Sequence, residues 1–258
     1  MKRLTGIGVL VTRPEHQASR LCQLIEVEGG AAVRYPALTI RARPDRAAVR
    51  AATGPADRYD LVVFVSANAV RFGADILGER RDVPIAAIGQ ATAAALNAAG
   101  HRVSLLPAEG ADSESLLAMP QLADLHGKRV LIVRGSGGRE LLFEAMAGRG
   151  AHVQYAEVYT REPAHPSAEL QAEVEQLWRQ GGIAAYTATS VELLEALVGI
   201  VTLRCRELMD STMLVTGSRR VAEAASRLGL GSPIVIADSP EDTALVGALI
   251  RWREQVKP

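Results

Sequence analysis

The chain has 258 residues, of which 48% are hydrophobic but only 4% aromatic, and 29 basic side chains balance 29 acidic ones. This length suits two domains of roughly 120 residues with cores of Ala, Leu and Val, and the balanced charge argues against a polycationic nucleic-acid binder. The start, MKRLTGIGVLVTRPE, lacks the apolar core of a secretory signal, and no apolar run approaches the ~20 residues of a membrane span. Cys22 and Cys205 form no CxxC pair and read as reduced structural thiols of a cytoplasmic protein.

Short aliphatic runs predict strands over 8–11, 32–35, 61–65, 85–88, 102–105, 130–133, 152–156, 183–186, 213–215 and 234–236. Amphipathic patterns between them predict helices over 15–28, 67–77, 91–99, 113–118, 139–149, 168–180, 191–198, 220–228 and 240–253. Strands apolar on both faces, alternating with helices, specify an α/β protein with parallel sheets. Glycines at 29–30, 100, 150 and 229 follow helices and suit a left-handed stop.

The chain also repeats. One segment, 9–40, opens with an aliphatic run ending at Arg13, continues as a helix, and reaches Gly30-Ala31-Ala32-Val33 and Tyr35. A second, 130–159, opens on a run ending at Arg134 and reaches Gly150-Ala151-His152-Val153 and Tyr155. The stretches after each segment match as well. Phe64-Val65-Ser66 parallels Ala188-Thr189-Ser190, Ile88-Gly89-Gln90-Ala91 parallels Thr216-Gly217-Ser218-Arg219, and Glu114-Ser115-Leu116-Leu117 parallels Asp242-Thr243-Ala244-Leu245. A repeat of this size implies two similar domains with a ligand cleft between them. Two extended, proline-marked segments, 35–40 and 158–163, stand where a chain could leave the first domain and return to it. That placement favours joining the first segment to the stretch after the second, rather than a simple tandem.

Open α/β sheets bind ligands beyond the carboxyl ends of their strands. The turns there are Thr12-Arg13-Pro14, Ser66-Ala67-Asn68-Ala69, Gly89-Gln90-Ala91-Thr92, Arg134 to Arg139, Thr189-Ser190-Val191 and Thr216-Gly217-Ser218-Arg219. Small and hydroxylated residues at helix starts present free N–H groups to carboxylates or phosphates, and arginine adds bidentate recognition. As helix caps, Ser66, Thr92, Ser190 and Ser218 would be purely structural. Gly135-Ser136-Gly137-Gly138 looks like a nucleotide loop, but Glu140 stands where the last glycine of GxGxxG belongs, and no GxxxxGK[ST] occurs. The five histidines show no HxxxH or HExxH spacing, and no GxSxG elbow occurs. What remains is a site for a polyanion without a cofactor or metal signature. Tyr159 combines a rigid apolar ring with a weakly acidic proton. A non-enzymatic two-domain binder of an anionic small molecule is the alternative these residues leave open.

The ordered set of motifs resembles the uroporphyrinogen-III synthase family. Val11-Thr12-Arg13-Pro14 with Tyr35-Pro36, the run 60–70, Ala87-Ile88-Gly89-Gln90-Ala91-Thr92, the run 127–135, Val158-Tyr159-Thr160-Arg161, Thr189-Ser190 and Gly217 carry the likeness. Val65 stands where the family often has Thr, and Gly217-Ser218-Arg219-Arg220 where it often has Gly-Pro-x-Thr, so backbone contacts remain there. The resemblance implies two flavodoxin-like (Rossmann-like) parallel-sheet domains joined by a two-stranded extended linker. Domain 1 is then discontinuous, 1–36 with 163–258; domain 2 is 41–157; the linkers are 37–40 and 158–162, flexible enough to let the domains close on substrate. It implies a cytoplasmic, monomeric, cofactor-free lyase that cyclises hydroxymethylbilane with inversion of ring D, in transient contact with hydroxymethylbilane synthase. Tyr159 is the catalytic candidate. The substrate-binding candidates are Thr12, Arg13, Ser66, Ala67, Asn68, Gly89, Thr92, Arg134, Gly135, Arg139, Arg161, Ser190, Gly217 and Ser218.

Overall fold

A computed structural model describes residues 2–78, 83–110 and 112–255. The chain forms two compact units, Met1–Thr39 with Glu162–Pro258 and the continuous stretch Ile40–Arg161.

Unit 1 holds strands β1 (Gly8–Val11), β2 (Ala31–Arg34), β8 (Ala185–Thr187), β9 (Met213–Thr216) and β10 (Ile234–Ile236), in the order β10-β9-β8-β1-β2 with every pairing parallel. Helices α1 (Glu15–Val27) and α11 (Asp242–Gln255) belong to one core, where Val9, Val11, Leu21, Ile25, Leu245 and Leu249 are buried. Helices α7 (Ala168–Arg179), α8 (Val191–Ile200), α9 (Leu203–Met209) and α10 (Arg219–Arg227) supply the other, with Leu10, Trp178, Tyr186, Leu194 and Leu214. Strand neighbours in sequence thus feed opposite faces, as the period of two requires. Two buried polar contacts lie in this core: the Trp178 indole donates to Thr212 Oγ1 at 2.8 Å, and the Tyr186 and Ser232 hydroxyls lie 2.6 Å apart.

Unit 2 holds β3 (Leu38–Ala42), β4 (Leu61–Phe64), β5 (Ile85–Ala87), β6 (Arg129–Gly135) and β7 (His152–Pro163), ordered β3-β7-β6-β4-β5. Its helices are α2 (Arg46–Thr53), α3 (Ala67–Gly73), α4 (Gln90–Ala98), α5 (Ser113–Leu117) and α6 (Leu141–Gly148). Phe64, Val70, Leu96 and Val133 share one core; Leu61, Leu116, Ile132 and Met146 share the other.

The two sheets have one plan. Reading β2-β1-β8-β9 beside β7-β6-β4-β5 aligns the first repeated segment with the second and each following stretch with its counterpart. The expected strand over 102–105 shrinks to one parallel bridge, Ala86 to Leu105, in the place that β10 fills in unit 1. The order reverses between β1 and β8 in unit 1 and between β4 and β6 in unit 2, and such reversal points are where α/β sheets take ligands.

Both segments expected as linkers are strands here. Val158, Tyr159 and Thr160 favour extended pairing, so β7 continues through Pro163, and β3 joins it at the sheet edge. Helices α2 and α9 are additional to those the sequence pattern predicts. The second starts at a Thr202 cap that accepts from the Cys205 N–H at 3.2 Å. Glycine stops occur as expected: Gly100 and Gly229 follow α4 and α10 with φ of +83° and +73°.

Candidate functional site

In unit 2, β6 pairs with β7 so that Arg134 faces Glu157, while Gly135 faces Tyr159. The register slips there by one residue, and the bulge leaves Val158 as the extra one. Two consecutive strand residues ordinarily point to opposite faces. Here Val158 and Tyr159 are both buried in the same core. The bulge thereby turns the Tyr159 ring onto the end of β6. Any residue larger than glycine at 135 would place its Cβ 2.5 Å from two atoms of that ring.

Tyr159 is 2% exposed. Its ring lies 5.9 Å from that of Phe72, and the Arg161 guanidinium stands 5.9 Å from its centroid. Its hydroxyl is 3.2 Å from Ser66 Oγ, which itself accepts from the Ala69 N–H at 3.0 Å as the cap of α3. With that lone pair engaged, Ser66 can donate to Tyr159 and leave the phenol proton free to point at a ligand. A cavity of about 270 Å³ opens beside it, lined by Val65, Ile88, Arg134, Gly138, Arg139 and Arg161 among others.

The arginines divide into two kinds. Arg134 is buried, and its guanidinium is turned inward. Its Nε donates to Gly135 O at 3.1 Å, and its terminal nitrogens donate to Gly137 O, to Arg139 O at 3.4 Å and to Glu140 Oε1 at 3.3 Å. Arg13 is spent in the same way in unit 1, on the Asp242 carboxylate and Pro240 O. Both guanidiniums are thus engaged within their own units, although Arg134 still lines the cavity beside Tyr159. Arg139 is less tied: it pairs with Glu114 at 2.7 Å, and both side chains are more than half exposed. Such a pair exchanges readily for another anion. The two acids occupy matched places in the repeat, but Glu114 meets Arg139 whereas Asp242 meets Arg13, whose own match is Arg134.

The remaining candidates sit at the carboxyl ends of their strands, in two separate sets. Ala67 and Asn68 open α3, Gly89 is the residue before α4, and Thr92 is buried in the first turn of α4. In unit 1, Thr12 donates to Thr187 O, Ser190 caps α8 by accepting from Leu193 N at 3.1 Å, and Ser218 precedes α10 with its N–H on Thr216 Oγ1 at 3.3 Å. Thr12 is wholly buried and acts inside the sheet. A Cβ at Gly217 would meet the Ser239 and Pro240 backbone at 2.3 Å, so this turn is closed by direct backbone approach.

Sequence reasoning missed Glu140, Tyr155, Arg43 and Glu157. Arg43 donates to Glu157 Oε2 at 3.1 Å and to Ser136 Oγ at 3.2 Å, and Glu157 Oε1 accepts from Gly137 N at 3.3 Å. In the sequence Tyr155 stands out only as a repeated aromatic, and Glu140 only as the residue that breaks a nucleotide motif.

The model of the family described as uroporphyrinogen-III synthase HemD matches residues 19–247. The chain belongs to this family. Uroporphyrinogen-III synthase of Salmonella typhimurium is 33% identical over 250 residues, spanning 94% of this chain and 100% of the relative. That of Escherichia coli is 33% identical over 253 residues, with the same coverage. A structure of uroporphyrinogen III synthase from Thermus thermophilus aligns over 97% of this chain and 100% of its own with a TM-score of 0.62 at 20% identity. The Helicobacter pylori uroporphyrinogen-III synthetase structure aligns over 95% and 99% with a TM-score of 0.66 at 14% identity. These two share the fold. Like them, this uroporphyrinogen-III synthase family member is an α/β protein of two parallel-sheet units, the first discontinuous. Among its described residues no helix is long and apolar enough to cross a membrane.

Proposed function

We propose that this protein is a uroporphyrinogen-III synthase that cyclises hydroxymethylbilane to uroporphyrinogen III as a lyase, releasing water. Membership of the family carries this reading. The reaction needs no redox step. The bilane loses its terminal hydroxyl as water, and the resulting azafulvene cation is attacked by the substituted carbon of ring D. The spiro intermediate then fragments and recloses with ring D inverted. The proton taken up by the hydroxyl is balanced by the one the closing pyrrole carbon sheds.

The bilane also cyclises unaided, to the uninverted isomer. The enzyme's work is therefore to hold one folded conformer and favour one attack position. The substrate's eight carboxylates call for many donors. The N–H groups at the starts of α3, α4, α8 and α10 are suited to that purpose, with Arg139 and Arg161 as charge partners. Tyr159 has the role of donor to the departing hydroxyl, oriented by Ser66. The Tyr159–Ser66 contact supports this assignment. The same reading makes the protein a cytoplasmic monomer that takes the bilane from hydroxymethylbilane synthase.

The test is a coupled assay. Hydroxymethylbilane is generated in situ, the products are oxidised, and the isomers are resolved by chromatography. Predominantly type III is expected; type I alone, from folded protein, would overturn the reading. In the same assay Tyr159→Phe is expected to lose about 10²-fold or less in rate while still making type III, because orientation carries most of the effect. Full turnover by that variant would remove Tyr159 from the role.

A further inference from the structure

The turn that carries Gly135 to Arg139 is wrapped around a cation. Gly137 and Gly138 have φ of +71° and +96°, and a Cβ at Gly138 would sit 3.0 Å from an Arg134 terminal nitrogen. Three carbonyls of the turn accept from that guanidinium, so the position of Arg134 sets the shape of the turn. What sets Arg134 is therefore the next question. Two side chains do. Glu140 gives one carboxylate oxygen to Arg134 at 3.3 Å and the other to the Tyr155 hydroxyl, which donates at 2.7 Å. The Tyr155 ring lies under the guanidinium, 4.5 Å from centroid to carbon.

We infer that Glu140 and Tyr155 are positioning residues of the unit 2 site, which act through Arg134 to hold the glycine turn in the shape that receives substrate. This rests on the synthase reading of that site. Glu140 is 51% exposed on its side chain, so its charge is screened and adds little binding energy to the pair. Its value is geometric: without it a long arginine side chain can leave its stack. Burial first, and then the bond to Glu140, push the Tyr155 phenol up to about 12, so it remains a donor at neutral pH. The far side of the turn is fixed independently by Ser136 N–H on Tyr159 O at 2.8 Å and by Gly137 N–H on Glu157. Loss of Glu140 should therefore loosen one flank of the turn and leave the sheet intact.

Four variants of the full chain test this: Glu140→Ala, Tyr155→Phe, the double of these two, and Glu140→Gln. Tyr155→Phe keeps the ring over Arg134 and removes only the hydroxyl, so it should fold. We expect the KM for hydroxymethylbilane to rise about tenfold in Glu140→Ala with kcat within about twofold, and about threefold in Tyr155→Phe. The double variant should be no worse than Glu140→Ala, because the hydroxyl acts through the carboxylate. Glu140→Gln should recover most of the loss. Amide hydrogen exchange, which needs no turnover, should quicken at 136–139 and not in β4 or β6. Unchanged KM in both single variants, strictly multiplicative effects in the double, or unaltered exchange in the turn would overturn the proposal. Type I product from the wild type, with quickened exchange in the variants, would instead refute the synthase reading and retain only the clamp on the turn, which overturns the proposal as a statement about substrate.

Discussion

Gly135→Ala is expected to cost about as much as Tyr159→Phe, up to about 10²-fold, in the rate of type III formation while unit 2 remains folded. The backbone at 135 is not in the left-handed region, so strain is not the cause. The cause is space. The new methyl would lie 2.5 Å from two ring atoms of Tyr159 and 3.0 Å from its hydroxyl oxygen. The ring is buried beside Phe72 and cannot retreat into solvent, so it must swing away from Ser66. Overpacking of this kind costs about 1–3 kcal/mol of stability, which differential scanning calorimetry would register as a modest fall in Tm. Combining Gly135→Ala with Tyr159→Phe should add little in rate, since both act on one hydroxyl. Wild-type turnover by Gly135→Ala would mean that the placement of Tyr159 is immaterial.

Arg134→Met should be the most damaging single change to stability in unit 2. The substitution keeps apolar volume under the turn and over Tyr155, so no large cavity forms. It removes a buried cation that donates to three carbonyls and a carboxylate. Hydrogen bonds to charged groups contribute about 1.5–3 kcal/mol each, but Glu140 is half exposed and the carbonyls can turn to water, so the sum does not apply. A net loss of about 3 kcal/mol is expected, or about 10 °C in the transition of unit 2. Calorimetry with both units resolved would check it, the transition of unit 1 serving as the internal reference. A shift under about 2 °C would mean that the turn holds its shape without the guanidinium.

The strands were the most legible part of the chain. Runs such as Val130-Leu131-Ile132-Val133 are apolar on both faces because both faces are covered, and nothing else in the sequence looks like them. The repeat forecast two like sheets, and the two extended segments forecast which stretches share one, since β1 and β2 stand in one sheet with β8, β9 and β10. Local pattern said less where the partner decides the outcome. The bulge beside Gly135 arises from the register of β6 on β7, which neither strand encodes alone. The same holds for the arginines. Spacing put Arg13 and Arg134 at the right turns, yet whether a guanidinium faces outward or inward depends on Asp242 and Glu140, and in the first case on a residue more than two hundred positions away. Short helices such as α2, an Arg/Ala-rich stretch between Pro44 and Pro55 that buries only Thr53, carry too few large apolar residues to mark a core face. The residues that hold the site's turn, Glu140, Tyr155, Arg43 and Glu157, are ordinary types at ordinary spacings, and only contact reveals them.

The discontinuity of unit 1 has a bearing on the order of events at the ribosome. The unit that comes second along the chain, Ile40–Arg161, is the first whose strands are all available, whereas β1 and β2 emerge early and must wait for β8. At about 5–20 residues per second that interval is on the order of ten seconds. By the end of that interval the nascent chain carries a finished second unit behind a βαβ fragment whose β1 still lacks its β8 neighbour, rich in valine, leucine and isoleucine. A chaperone that shields such fragments would therefore act on the amino-terminal forty residues or so, and its absence would be felt as misfolding of unit 1 while unit 2 is spared.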